Sequence, residues 1–204
     1  MRNKRELPLV AELPLEIDLK YLQEETDKLA NLYKDVKSAN PMLCMNHEQL
    51  VQDVYDNFEQ INFTEPSEIL PYEPSIKKRI ARREEHLYNV PTEEYLNSYH
   101  REIVEQCKAP ASRVRITKLA PGKEIPWHVD YDPTYAVRCI VPIHTDQHVE
   151  NYFRRGASEF KYTLVAGKAY FLNIGYAHRV VNNSDKPRIA LMFSLDGQDD
   201  LEHV

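Results

Sequence analysis

Glycine is scarce in this sequence and is confined to its second half. Only five of the 204 residues are glycine, and all of them lie beyond residue 110. Neither a GxGxxG nor a GxxxxGKS/T motif occurs, which excludes the glycine-rich phosphate cradles of the common nucleotide-binding folds. Because glycine marks tight turns, its distribution predicts a helical region over 1–110 and a turn-rich region over 111–204, both within one structural domain.

Cysteines are few, and long apolar runs are absent. Cys44, Cys107 and Cys139 form no CxxC pair, so we expect reduced thiols in a cytosol-like compartment. No apolar run approaches the roughly 20 residues that span a bilayer, and the N-terminus lacks the long apolar stretch of a secretory signal. The formal net charge of −6 disfavours general nucleic-acid binding. We therefore expect a cytoplasmic protein without a membrane or nucleic-acid partner, and the sequence leaves the oligomeric state open.

The first region contains apolar residues at helical spacing. One such series follows Asp18, an N-cap residue type, and predicts a helix that begins there. A second series predicts a helix over about 92–107, and the stretch 50–58 favours a further short helix. We expect these helices to pack against the second region.

One basic cluster, residues 77–83, stands out in the first region. Such a cluster could contact an acidic partner or a nucleic acid. Glu84 and Glu85 follow it directly, however, and we interpret the cluster as a solvated helix face that these two carboxylates balance.

The second region contains short segments rich in β-branched and aromatic residues, separated by turn signals such as Pro121-Gly122. Eight such segments predict strands over 113–119, 125–131, 136–143, 149–153, 160–165, 169–172, 179–182 and 188–195. Eight short strands with frequent turns are typical of a jelly roll. The predicted fold is therefore mainly β, a double-stranded β-helix (cupin-like) core with an N-terminal helical extension.

The segment Trp127-His128-Val129-Asp130 carries candidate metal ligands. Side chains alternate along a strand, so His128 and Asp130 point to the same face if this segment is extended. His178 follows a turn at the start of a later predicted strand and is the candidate third ligand. Two histidines and a carboxylate that leave further metal positions open are typical of non-haem Fe(II) oxygenases.

A competing pair of the same spacing is His144 and Asp146, which could act with His148 or His178. This pair follows the apolar run 139–143, and its continuation has the composition of a turn. We interpret it as the exit from a strand into an exposed loop rather than as a metal site.

Arg188 stands ten residues after His178 and begins the last predicted strand. A guanidinium that faces the interior of the jelly roll requires a carboxylate partner, because a buried unpaired charge is costly. No acidic residue of the predicted core is an evident partner. A dicarboxylate cosubstrate would fit, with one end on the metal and the other end on Arg188.

The stretches WHVD, VRCIVPI, GYAHRVVNNS and KPRIAL resemble the aspartyl/asparaginyl β-hydroxylase-like branch of the 2-oxoglutarate- and Fe(II)-dependent oxygenases, which also contains free-proline cis-hydroxylases. The resemblance covers about the last 90 residues, with the spacing of His128, Asp130, His178 and Arg188 as its most specific part. It implies that the first three of these residues bind iron, as both metal ligands and catalytic residues. The presence of Asp130 argues against a halogenase-type site.

The resemblance also implies how the cosubstrate is bound. Arg188 would bind the distal carboxylate of 2-oxoglutarate, Arg138 would lie near a carboxylate of the cosubstrate or substrate, and Thr117 would contact 2-oxoglutarate. A surface ion pair at Arg138 and an ordinary strand threonine at Thr117 are the alternatives.

The activity that follows is that of a dioxygenase using Fe(II), 2-oxoglutarate and O2. It would hydroxylate a small-molecule amino acid or a peptide residue, of the Asp/Asn or Pro type. One rival hypothesis is a non-enzymatic cupin-like module that binds a metal or a carboxylate. Another is a cupin isomerase or a cosubstrate-independent dioxygenase, and neither of these would require Arg188.

Overall fold

The computed structural model of the protein describes residues 1–35, 39 and 58–204. The strands in that part of the chain are β1 (Val10–Leu13), β2 (Lys34–Asp35), β3 (Phe58–Asn62), β4 (Thr64–Pro66), β5 (Tyr88–Pro91), β6 (Ala111–Leu119), β7 (Glu124–His128), β8 (Val137–His144), β9 (Val149–Arg155), β10 (Ser158–Tyr162), β11 (Ala169–Leu172), β12 (Ala177–Asn182) and β13 (Arg188–Leu195). The helices are α1 (Leu19–Asp27), α2 (Ile76–Ala81), α3 (Glu93–Leu96) and α4 (Tyr99–Val104), with short 3₁₀ turns at Ala30–Leu32, Glu84–Leu87 and Asp199–Leu201. None of the helices in these ranges is both long and apolar enough to cross a membrane.

Two antiparallel sheets form the body of the molecule. The larger has the strand order β1-β11-β8-β13-β6-β3-β2, and the smaller has the order β10-β9-β12-β7. All eight strands predicted for the second region are present within a few residues of their expected bounds. The prediction of a mainly β, double-stranded β-helix fold is confirmed.

The two faces of the large sheet have different roles. On β6, Val114 and Ile116 join a buried apolar cluster that also contains Phe193 and Ile103 of α4. Burying each of these side chains stabilises the fold by roughly 2 kcal/mol relative to leaving it in water. Because side chains alternate along a strand, Arg115 is displayed on the opposite face of β6, where it lines a cavity.

The first helix begins where the sequence predicts, but the second predicted helix is divided. Asp18 is the N-cap of α1, and its side chain accepts a hydrogen bond from the backbone N–H of Tyr21 at 3.1 Å. The expected helix over 92–107 is instead α3 followed by α4. Ser98 separates them, because its hydroxyl accepts from the backbone N–H of Arg101 and thus caps a new helix.

The first region is less helical than its lack of glycine predicts. The strands β1, β2 and β3 all belong to the large sheet, and β4 pairs with β5. Strand β3 satisfies the open edge of β6, with Ile61 opposite Ile116. That long-range pairing outweighs local propensity. Of the expected helix over 50–58, Phe58 begins β3, and the rest lies outside the described residues.

The basic cluster 77–83 lies mostly on α2. Glu84 balances it as expected, accepting from Arg79 at 3.2 Å and from Arg82 at 3.3 Å. The interpretation is wrong for Glu85, which is 1% exposed and faces the interior. Its partners are arginines of distant strands, which outweigh the neighbouring basic residues.

Candidate metal centre and its cavity

A cavity of about 200 Å³ opens between the two sheets. Side chains of both sheets line it, and they include every candidate site residue except Thr117. The lining residues that carry charge or could ligate a metal are Arg79, Glu85, Arg113, Arg115, His128, Asp130, Arg138, His178 and Arg188. The cavity is therefore strongly basic for so small a space.

Strand pairing brings the three candidate metal ligands together. His128 ends β7 and lies directly opposite His178 of β12 in the register of the small sheet. Asp130 lies two residues beyond β7, where its backbone N–H donates to the carbonyl of Ile174 at 3.0 Å. One ligand atom from each of the three side chains lies within 4.8 Å of the others.

Hydrogen bonds fix which nitrogen of each imidazole is free. The Nδ1 of His128 lies 2.8 Å from the carbonyl oxygen of Pro126, and the Nδ1 of His178 lies 3.0 Å from that of Tyr176. Since a carbonyl can only accept, each Nδ1 donates, and Nε2 keeps its lone pair for a metal. Both Nε2 atoms point toward Asp130, whose Oδ2 is 3.8 Å and 4.0 Å away.

Electrostatics keep His178 in the form that a metal requires. Burial, followed by the neighbouring His128, lowers the pKa of His178 to about 4. The imidazole is therefore neutral at neutral pH. Two imidazoles and one carboxylate are the donor set of non-haem Fe(II) sites, and these residues fit such a metal.

Arg188 and Thr117 form a second polar group in the fold. Arg188 begins β13 and is 3% exposed, and its Nη1 donates to the Thr117 hydroxyl at 3.3 Å. No carboxylate oxygen among the described residues lies within 4 Å of this guanidinium. Burial accordingly lowers the pKa of Arg188 to about 10.

Arg138 has a carboxylate partner, Glu85, yet remains partly unsatisfied. Its Nη2 donates to Glu85 Oε1 at 2.7 Å, so Arg138 does form an ion pair, but the pair is buried and is not the surface pair considered as an alternative. The Nε and Nη1 atoms of Arg138 are buried and have no hydrogen-bond partner. Buried donors without partners cost stability, so an anion in the cavity that accepts from them would be bound favourably.

Glu85 links three strands of the large sheet and is a residue that sequence reasoning missed. Besides Arg138 of β8 it accepts from Arg113 of β6 at 3.0 Å and from the Ser194 hydroxyl of β13 at 2.7 Å. Burial alone would raise the pKa of Glu85, but the two arginines hold it well below its usual range. Glu85 is therefore ionised, and no local sequence signal reveals these partners.

Arg113 reaches Glu85 from a strained backbone position. Its φ is +49°, in the left-handed region that non-glycine residues rarely adopt. At this point Ser112 pairs with Ser194 and Arg115 with Met192, so two residues of β6 oppose one of β13 in a β-bulge. The bulge brings Arg113 to the cavity wall, where it also contacts the ring of Tyr88.

The competing pair belongs to no cluster of potential metal ligands among the described residues. The Nε2 of His144 lies 3.0 Å from Asp27 of α1, and Asp146 accepts from the backbone N–H of His148 at 2.7 Å within a turn. These contacts agree with the interpretation of an exposed strand exit.

Comparison with known proteins adds a family and a fold. The family model of the aspartyl/asparaginyl beta-hydroxylases matches residues 75–197, more than half of the chain. An oxidoreductase of the 2OG-Fe(II) oxygenase family from Burkholderia pseudomallei is similar over 92% of this chain and 85% of its own, with a TM-score of 0.53 and 12% identity. A prolyl-4-hydroxylase from Pseudomonas putida is similar over 93% of each chain, with a TM-score of 0.50 and 12% identity. These two likenesses show a shared fold, and no curated protein sequence matches.

Proposed function

Because the chain belongs to the aspartyl/asparaginyl beta-hydroxylase family, we propose that it is a 2-oxoglutarate- and Fe(II)-dependent dioxygenase. Its substrate is an amino acid or a peptide residue, of the Asp/Asn or Pro type. One observation carries the proposal: a convergent His/Asp/His set lines the same cavity as a buried arginine that pairs with no carboxylate of the described residues. A metal and a dicarboxylate are the ligands that these two features favour.

His128, Asp130 and His178 would hold the iron through two Nε2 atoms and a carboxylate oxygen. The carbonyls that bind each Nδ1 orient both rings, and such outer contacts strengthen metal binding. The bound iron would supply oxidising chemistry with 2-oxoglutarate and O2, while the protein orients the reactants and excludes water. In the overall reaction 2-oxoglutarate loses carbon dioxide, one oxygen atom enters succinate and the other enters the substrate.

Arg188 and Arg138 would each bind a different carboxylate. Arg188 would bind the distal carboxylate of 2-oxoglutarate, and Thr117 would support it through its hydroxyl. At neutral pH Arg188 is protonated even with its lowered pKa, and a carboxylate beside it would offset the cost of burial. Arg138 would direct its free Nε and Nη1 to a second carboxylate, of the cosubstrate or the substrate.

A cupin-like module that binds a metal or a carboxylate without catalysis is the competing function. Both functions predict that Fe(II) and 2-oxoglutarate bind, so turnover separates them. Only the oxygenase consumes 2-oxoglutarate and O2 and releases succinate.

The test is incubation of Fe(II)-loaded protein with 2-oxoglutarate and air, with succinate and the mass of each candidate amino acid or peptide as readouts. We expect succinate formation that one substrate class stimulates, with one oxygen atom added to that substrate. The variant His178→Ala should abolish turnover, whereas the matched change His144→Ala, in the exposed competing pair, should leave it intact. Binding of both ligands without any loss of 2-oxoglutarate, at stoichiometric protein and long incubation, would favour the binding module.

A further inference from the structure

The turn between β11 and β12, residues 173–176, holds two of the three candidate metal ligands through its backbone carbonyls. The carbonyl of Ile174 accepts from the backbone N–H of Asp130 at 3.0 Å. The carbonyl of Tyr176 accepts from Nδ1 of His178 at 3.0 Å. Outer contacts of this kind orient the ligands of a metal. The position of the turn therefore decides how Asp130 and His178 stand relative to each other.

Residues 1–9, which we call the strap, pack against this turn. The Nζ of Lys4 donates to the carbonyl of Gly175 at 2.6 Å. The backbone N–H of Asn173 donates to the carbonyl of Leu9 at 2.9 Å. Lys4 thus holds the middle one of three consecutive carbonyls, and the carbonyls on either side of it hold the metal ligands.

The side chain of Asn173 joins the strap to the turn. It is fully buried, and its Nδ2 lies 2.9 Å from the carbonyl oxygen of Lys4 and 3.1 Å from that of Pro8. The carbonyl oxygen of Leu7 is 3.5 Å away. Because carbonyls only accept, the amide nitrogen must face the strap. Without this nitrogen, carbonyls of the strap would lose their donor, and the turn would lose its main link to the strap.

The strap, the turn and the segment after Asp130 also meet at Gly175. A Cβ atom at this position would lie 3.1 Å from Cδ of Lys4 and 3.2 Å from Cα of Asp132. Glycine lets the three segments pack this closely because it has no Cβ. Gly175 lies between the strap and the residues that follow Asp130, so a shift of the strap would reach both segments that carry metal ligands.

We propose that Asn173 is a positioning residue for the metal centre, through which the strap holds Asp130 and His178 in place for the metal. The inference rests on the proposed function only for the identity of the metal ligands. It implies a coupling in both directions, because linkage is reciprocal. Loss of the strap contacts should weaken metal binding, and a bound metal should hold the strap more firmly by the same factor.

Asn182, at the far end of β12, provides a matched control for Asn173. Both side chains are fully buried, and each directs its Nδ2 toward three backbone carbonyls. The carbonyls that face Asn182 belong to Leu119, Ala120 and Lys186. Asn182 stands four residues from His178 along the strand, which corresponds to about 13 Å. Asn173→Ala and Asn182→Ala should therefore lower the urea midpoint similarly, but only Asn173→Ala should change the metal centre.

Metal binding is measured with Co(II) as the probe, by calorimetric titration and from its visible d–d absorption. We expect Asn173→Ala to bind Co(II) about 10-fold more weakly than the original protein, as for the loss of an outer contact of a metal ligand. Its absorption band should also change shape. Lys4→Met keeps the length of the side chain but removes the donor to Gly175, and it should weaken binding in the same direction. The affinity of Asn182→Ala should stay within about twofold of that of the original protein.

Two further readouts follow the turn and the strap directly. In metal-free protein, the backbone N–H of Asp130 should exchange with solvent about 10-fold faster in Asn173→Ala, as measured by NMR, and at an unchanged rate in Asn182→Ala. In the original protein, saturating Co(II) should slow tryptic cleavage after Arg5, within the strap, by a similar factor.

The outcomes separate this inference from the proposed function. Unchanged Co(II) affinity in Asn173→Ala and Lys4→Met, unchanged exchange of the Asp130 N–H in Asn173→Ala, or equal effects in Asn182→Ala would overturn the inference and leave the proposed function intact. If the original protein binds no Co(II), the proposed function fails, and the exchange of the Asp130 N–H still decides the role of Asn173. If Asn173→Ala does not fold, Lys4→Met decides the inference by the same two measurements.

Discussion

Replacing Arg188 with methionine should make the ligand-free protein more stable while weakening its affinity for 2-oxoglutarate. Methionine fills a similar elongated space without a charge. The guanidinium of Arg188 is 3% exposed and has only the Thr117 hydroxyl as a described side-chain partner. Such a group opposes folding until a ligand carboxylate neutralises it.

The size of the gain follows from the pKa of Arg188. Burial lowers this pKa from 12.5 to about 10, and each pKa unit corresponds to 1.36 kcal/mol, so the charge destabilises the fold by roughly 3 kcal/mol. The native pKa lies below that of the unfolded chain, so the penalty is complete at every pH below about 10 and fades only as the pH rises toward 12.5. The lost hydrogen bond to Thr117 offsets about 1 kcal/mol. We expect a net gain of about 2 kcal/mol at pH 7.

The assay is urea unfolding of metal-free protein without 2-oxoglutarate, beside anaerobic titration with 2-oxoglutarate. The variant should unfold at higher urea and bind the cosubstrate about 100-fold more weakly, as expected for the loss of a paired charge. Arg101→Met, at an exposed pair with Glu105, is the control and should change stability by less than about 0.5 kcal/mol. A loss of more than about 1 kcal/mol in Arg188→Met would refute the reasoning, because it would mean that the charge has a structural partner.

Two other changes test the remaining electrostatics. Glu85→Gln should destabilise the protein by about 3–5 kcal/mol in urea unfolding, since it leaves Arg113 and Arg138 buried beside a neutral amide. The control is Glu202→Gln, at an exposed carboxylate that pairs with Lys108. Equal effects of the two changes would contradict the role assigned to Glu85. His100 is fully buried with its Nε2 2.8 Å from Thr26, and burial lowers its pKa from 6.5 to about 4. Between these two pH values His100 is protonated in the unfolded chain but not in the native state. Its contribution therefore lowers the free energy of unfolding by roughly 3 kcal/mol as the pH drops from 6.5 through 4. His100→Gln should make unfolding free energy less dependent on pH across that window, and an unchanged dependence would show that His100 is not the group responsible.

The second region of the fold was predictable because its signals are local. Turn residues bound each strand, and β-branched residues fill them, so the sequence predicted all eight strands within a few residues. The relation between His128 and Asp130 was predictable for the same reason, since the two-residue period of an extended chain decides which side chains share a face. His178 was a candidate because it follows a turn at the start of a later predicted strand, and only the structure shows the pairing of β12 with β7 that places it opposite His128.

The features that escaped prediction depend on long-range contacts. Strand β3 forms because it pairs with the edge of β6. The apolar pattern around Phe58 does not by itself distinguish such a strand from a helix. Glu85 follows a basic cluster, so charge balance pointed to solvent, whereas its partners lie on β6, β8 and β13. The face on which the Arg115 side chain lies could have been predicted, because Arg115 and Thr117 stand two residues apart on a predicted strand.

The central claim is that the His128/Asp130/His178 set and Arg188 bind Fe(II) and 2-oxoglutarate in one cavity. The most direct measurement is an anaerobic absorption titration of the protein with Fe(II) and then with 2-oxoglutarate. We expect a visible charge-transfer band that saturates at one equivalent, weakens in Arg188→Met and disappears in His178→Ala. The exposed control His144→Ala should keep the band unchanged. Absence of the band in the original protein, or its full retention in His178→Ala, would contradict the account.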